Sequence, residues 1–218
     1  MTMRSSIIRE VHNSYNFIQD CVNLVNRAYE RLFLSGVVNH DMQENTLSEN
    51  LRRIISQDIL SWNRRIVVIR EQTIGSSQLL TSNETANTLP RIDFQFVQSW
   101  NTSSPPLEFY IEAKNLYAND FNKSGCESLT HASNSHKRYV ETGINNLLTG
   151  YYPDNSCLLG YVLEGAVCDA VDGVNKQIYS ILTPSEVLKL DSDQHYSLKT
   201  YTSLHSNGRQ IQHLMLQF

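Results

Sequence analysis

Apolar residues recur at three- and four-residue intervals from Ser6 to Leu34, at Ile8, Val11, Tyr15, Ile18, Val22, Val25, Tyr29 and Leu32. That period marks one face of an α-helix. Gly36 follows as a natural stop. A second helical stripe runs through Leu47, Leu51, Ile54, Ile55 and Ile59. Its start is expected near Asp41, because Asp41-x-x-Glu44 and Thr46-x-x-Glu49 both have capping-box form.

The pattern then changes. Residues 64–71 (RRIVVIRE) read as a strand buried at Ile66, Val67, Val68 and Ile69. Residues 72–88 are polar and read as a loop. Two strand-like runs follow, LPRIDFQF from Leu89 and LEFYIEAKN ending at Asn115, joined by a connection holding Ser103, Ser104, Pro105 and Pro106. In the second run Leu107, Phe109, Ile111 and Ala113 fall on one face, and Glu108, Tyr110, Glu112 and Lys114 on the other.

Residues 116–134 look loop-like. Ser133 to Gly150 reads as a helix lined by Tyr139, Val140, Ile144, Leu147 and Leu148. Cys157–Leu163 (CLLGYVL) is a short apolar run, the mark of a strand buried on both faces. Gly165 to Tyr179 is a further helix, and Pro184 opens a turn. Tyr196–His205 and Arg209–Phe218 form a terminal hairpin turning at Ser206-Asn207-Gly208. Helices followed by mixed strands and helices predict an α/β fold around a mixed sheet. Residues 1–38 are expected to be a helix for packing or dimerisation, and residues 39–218 the main domain.

Composition narrows the function classes. A chain of 218 residues with 40% apolar content suits one domain with a full core. A net charge of −4 argues against a broadly basic nucleic-acid binder. No apolar run approaches the ~18 residues of a membrane span. The first ten residues lack the apolar core of a signal peptide. The four cysteines form no C-x-x-C pair. The expectation is a cytoplasmic protein with reduced thiols and no membrane partner.

The chemistry concentrates on Asp93, Glu112 and Lys114. Two carboxylates can hold a divalent cation, and an ammonium can orient a water. On the second helix Glu44 falls near the centre of the apolar stripe, while Glu49 falls roughly 140° away on the wet side. An acid on a buried face needs a partner or a role; plain capping of the helix is the alternative for Glu44. Gln95 shares the polar face with Asp93. Cys126, His131 and His136 lack the fourth ligand of a zinc site. His205 and His213 read as strand-surface or core residues of the hairpin. No G-x-S-x-G, P-loop or G-x-G-x-x-G is present.

The succession Glu44 on a helix, Pro90-x-x-Asp93 on a strand, and Glu112-Ala113-Lys114 on the next resembles the PD-(D/E)xK nuclease superfamily. The resemblance covers about residues 40–180. Arg91 and Ile92 stand between the Pro and the Asp, a departure the family tolerates. It implies a restriction-endonuclease-like mixed β-sheet flanked by helices, with an N-terminal helical segment. It implies Mg²⁺-dependent hydrolysis of DNA, Mn²⁺ substituting, in restriction or anti-phage defence, by a homodimer or a subunit of a larger defence complex. Asp93 and Glu112 would ligate the metal with the Ala113 carbonyl. Lys114 would orient or activate the attacking water. Glu44 would assist the metal or hold Lys114. Lys137 and Arg138 would lie near phosphate. The alternatives are a catalytically inactive nuclease-fold binding or assembly subunit, and an RNase toxin using the same site.

Overall fold

The computed structural model describes residues 3–73, 91–98, 105–125, 128–191 and 197–218, the side chains of 3–12 and 184 excepted. The first helix, α1, spans Met3–Leu34. Phe17, Cys21, Leu24, Val25 and Leu32 bury against the rest of the chain, while Tyr15 is exposed. Gly36 has φ +63°, the left-handed conformation that ends a helix without a Cβ penalty.

Helix α2 spans Glu44–Ser56, with Gln43 at its N-cap and no side-chain cap bond. Neither expected capping box forms. Asp41 accepts instead from the Ser124 amide at 3.0 Å, and Glu49 faces out to Arg52 and Arg53. Ile59 does not continue the stripe. Asp58 stops α2 by capping a separate helix, α3 (Ile59–Arg64), where it accepts from the Leu60 amide at 2.9 Å. Ile59 is left exposed there.

Strands β1 (Ile66–Thr73), β2 (Arg91–Gln98) and β3 (Leu107–Tyr117) form an antiparallel meander. Pro90 lies outside the described residues. Strand β1 is at the sheet edge, so its β-branched run alternates. Ile66 and Val68 are buried, but Val67 and Ile69 face outward, contrary to the expected continuous burial. Within the expected loop, β4 (Phe121–Asn122) pairs with β5 (Leu129–Thr130).

A rod of three helical segments follows: α4 (Ala132–Arg138), a π turn (Tyr139–Ile144) and α5 (Asn145–Leu148). Then come β6 (Ser156–Glu164), α6 (Val167–Ile181), a 3₁₀ turn (Pro184–Glu186), β7 (Lys189–Leu190), β8 (Lys199–Leu204) and β9 (Gln210–Gln217). The sheet order is β1-β2-β3-β6-β9-β8-β7, with β6 parallel to both β3 and β9. The fold is therefore α/β with a mixed seven-stranded sheet. Among the described residues, no helix is long and apolar enough to cross a membrane.

Cores form on both faces of the sheet. Helices α1 and α2 cover Phe94, Phe96, Ile111 and Ala113. The π-containing rod and α6 cover Leu116, Leu158, Val162 and Met215. Each fully buried aliphatic side chain contributes roughly 1.5–3 kcal/mol. Strand β3 is thus sandwiched, and Phe109 to Lys114 are all buried. Its polar face is interior, not half-exposed as alternation alone suggests. His136 fixes the rod against the sheet by bonding the Tyr117 carbonyl through Nε2 at 2.7 Å. Gly173 of α6 makes room for that ring, since any Cβ there would overlap it.

Candidate active site at the end of a ladder

The β2–β3 ladder stops at Phe94 opposite Ile111. Continuing that register brings Asp93 level with Glu112. The next free amides along β3 then go to carboxylates instead of to a strand. Ala113 N–H donates to Asp93 Oδ2 at 2.7 Å. Asn115 N–H donates to Glu44 Oε2 at 3.1 Å. Glu44 is the first residue of α2, so the helix dipole also favours its charge. It is not a plain cap; it ties α2 to β3.

The Lys114 ammonium enters between these acids. It bonds Glu112 Oε1 closely and donates to the Ala113 carbonyl at 2.9 Å. Glu44 Oε1 is 3.9 Å away. Side-chain exposure of Lys114 and Glu112 is 6% and 8%, so the pair is shielded from water. A buried ion pair gains little net stability, but breaking one partner is costly.

Burial pushes Glu112 up to about 7, with Lys114 pulling it down and Asp93 pushing it further up. Burial also raises Asp93, against the Ala113 amide and Lys114. A cation between two carboxylates whose charge is disfavoured by burial and by each other would offset both penalties. Their donor set, two carboxylates and a carbonyl, is all oxygen. That is the chemistry of Mg²⁺, which takes one or two carboxylates and keeps several waters. Among the described residues no three His, Cys, Asp or Glu side chains come together as a group that could hold a metal ion. In the geometry seen, the Lys114 ammonium occupies the space between Glu112 and the Ala113 carbonyl.

Other predicted residues fall at varying distance. Arg138 reaches Glu44 Oε1 at 3.2 Å, so the rod contacts the cluster. Lys137 is exposed and pairs with Glu141 at 3.7 Å on its own rod. Gln95 bonds Glu108 and the Tyr110 hydroxyl, both at 3.2 Å, further down the strands. Cys126 lies outside the described residues; His131 pairs with Asp120, and His136 with Tyr117.

Two residues join the site without a sequence signal. Tyr152, buried in the turn after α5, lies near Glu112 and Asn146, and its hydroxyl favours the charged form of the Glu112 carboxylate. Arg70 of β1 adds positive potential that lowers Asp93. Its Nε is buried without a hydrogen-bond partner. Nothing in the residue pattern marks either one, since an aromatic after a helix and an arginine on an edge strand are commonplace.

No protein-family model, curated protein or solved structure matches the chain.

Proposed function

We propose that this protein is a divalent-cation-dependent nuclease of the PD-(D/E)xK type, hydrolysing phosphodiester bonds of DNA. The observation that carries the reading is the convergence of Asp93, Glu112, Lys114 and Glu44 where the β2–β3 ladder ends. These are the four residues the motif resemblance singles out, drawn from a helix and two strands. The mixed sheet with an acid-bearing helix ahead of the meander supports the restriction-endonuclease-like reading of the fold.

Asp93 and Glu112, with the Ala113 carbonyl, would hold the cation. Mg²⁺ or Mn²⁺ there supplies charge neutralisation for the scissile phosphate and acidifies water. Lys114, released from Glu112, positions the attacking water. Glu44 stands between two cations, 3.9 Å from the Lys114 ammonium and 3.2 Å from Arg138, and so steadies Lys114. An acidic overall charge means phosphate is gripped locally rather than by a broad basic surface. Where both strands are cut, two such sites are needed, which a homodimer or a larger defence complex supplies.

The test is cleavage of DNA in Mg²⁺ or Mn²⁺, with Lys114→Ala as control. Cleavage abolished in the variant at matched circular dichroism supports the role; unchanged cleavage removes it. An RNA substrate in the same panel separates the RNase-toxin form of the site. A second reading, a catalytically inactive binding or assembly subunit, is favoured by the ammonium already satisfying Glu112. Calorimetric titration with Mn²⁺ decides: a nuclease shows a site that Asp93→Asn or Glu112→Gln weakens, and a scaffold shows none.

A further inference from the structure

A cleft of about 580 Å³ opens beside the carboxylate cluster, between the start of α2, the end of β3, the β4–β5 hairpin and α4. Glu44 lines it, so it is continuous with the cluster. Its volume is that of a small-ligand pocket, too small for a duplex. Among the described residues Glu44 is the one acid on its wall, and both its oxygens are engaged by Asn115 and Arg138. Lys123, His131 and Arg138 are the basic wall residues.

The remaining wall is rich in amides. Lys123 is half-buried; its ammonium draws Asp41 down electrostatically, and among the described residues it makes no close ion pair. Asn45 and Asn134 are exposed on the wall, and among the described residues their side-chain amides make no hydrogen bond. Asn115 donates to the Met42 carbonyl at 3.0 Å, yet its Oδ1 is buried without a partner. Leu129, 48% exposed, offers an apolar surface on the hairpin side. Cations for phosphate, amides for base edges and an aliphatic face for the base plane are the parts needed to seat a nucleotide.

We propose that this cleft seats one unpaired nucleotide of the substrate strand, next to the phosphate to be cut. The phosphate lies toward Lys123, and the base packs on Leu129 within reach of Asn45 and Asn134. The proposal rests on the nuclease reading and sharpens it: the preferred substrate is single-stranded or locally unpaired, not a continuous duplex.

Fluorescence anisotropy in EDTA tests it, using labelled single-stranded DNA, single-stranded RNA and duplex DNA of one sequence. The single strand is expected to bind more tightly than the duplex; whether DNA or RNA binds better names the strand chemistry. The double variant Lys123→Ala/Asn134→Ala, with unchanged melting temperature, is expected to weaken single-strand binding roughly tenfold. Equal binding of duplex and single strand, an indifferent double variant, or no binding at all overturns the cleft proposal. Cleavage assays run alongside keep the two readings apart. Single-strand binding through the cleft without cleavage sinks the nuclease reading alone, and cleavage with an indifferent cleft sinks the cleft alone.

Discussion

The carboxylates of Asp93 and Glu44 hold neighbouring free amides of β3, Ala113 at 2.7 Å and Asn115 at 3.1 Å. They do so just past the end of the β2–β3 ladder, where a regular strand would otherwise pair. The site is thus built by replacing strand pairing with side-chain pairing, which brings charge to the backbone without leaving donors unsatisfied.

That replacement makes Asp93 both structural and chemical, and two substitutions separate the roles. Asp93→Asn keeps an oxygen for the Ala113 amide and should change stability by less than about 1 kcal/mol. Asp93→Ala orphans that buried amide and should cost about 1–3 kcal/mol. Both should weaken Mn²⁺ binding. Urea unfolding and calorimetric titration on the two variants read these quantities independently.

Glu112 gives the site a pH signature. Its folded value, about 7, lies above the ordinary 4.5. The folded state therefore holds a proton that the unfolded state has lost between those values. By linkage, stability from this group is present below about 4.5 and declines as pH rises to 7, on the order of 3 kcal/mol in all. Glu112→Gln should flatten that decline, seen as a smaller fall in melting temperature from pH 5 to pH 7.5. Saturating Mn²⁺ should restore the wild type at pH 7.5 and leave the variant where it was.

The acids and the lysine were readable because strand periodicity places Glu112 and Lys114 on one face and helix periodicity turns Glu44 inward. Periodicity says which way a side chain points, not what it meets. It could not show that Glu44 would meet the Asn115 amide, or that Lys114 would sit among the acids. Tyr152 reaches Glu112 through a turn, where no period operates. The same limit explains the fold-level errors. The run Ile66–Ile69 is equally apolar whether a strand is central or at an edge, and only the sheet order exposes Val67 and Ile69. Asp58 reads as one more polar residue until its side chain is seen capping α3.

Tyr152 should act on Glu112 as a positioning residue. Its hydroxyl lies near that carboxylate and pulls it down, with Asn146 close by. Tyr152→Phe removes a donor that favours the charged acid, so Glu112 should titrate still higher. The pH profile of cleavage should move to higher pH on its acidic limb, with the plateau rate largely kept. A uniform loss of rate at every pH would instead point to a packing defect.

His213 sets a second pH dependence, of opposite sign and far from the site. Tyr139 lies 3.0 Å from His213 Nδ1, Ser203 Oγ lies 2.8 Å from both His213 Nε2 and His205 Nε2, and His205 Nδ1 lies 3.2 Å from Glu186. All five residues are buried. One direction of donation satisfies every atom: Tyr139 to His213, His213 to Ser203, Ser203 to His205, His205 to Glu186. A second proton on His213 would set two donors against each other at Nδ1. Burial first, then His205, holds His213 down at about 3. Below pH 6.5 the unfolded chain takes up a proton that the fold refuses, so stability from this group is complete above 6.5 and falls as pH drops. Between pH 6.5 and 4.5 the loss should be about 2–3 kcal/mol. His136, also depressed by burial, adds in the same direction, and Glu112 opposes both. Comparison with His213→Gln isolates the term: the variant should be less stable at pH 7 yet lose less on acidification, by urea unfolding at the two pH values. A variant as acid-sensitive as the wild type would mean that the buried chain of hydrogen bonds tolerates the extra proton. Ser203→Ala, which cuts the chain without removing a titrating group, should keep the acid sensitivity while lowering stability at both pH values.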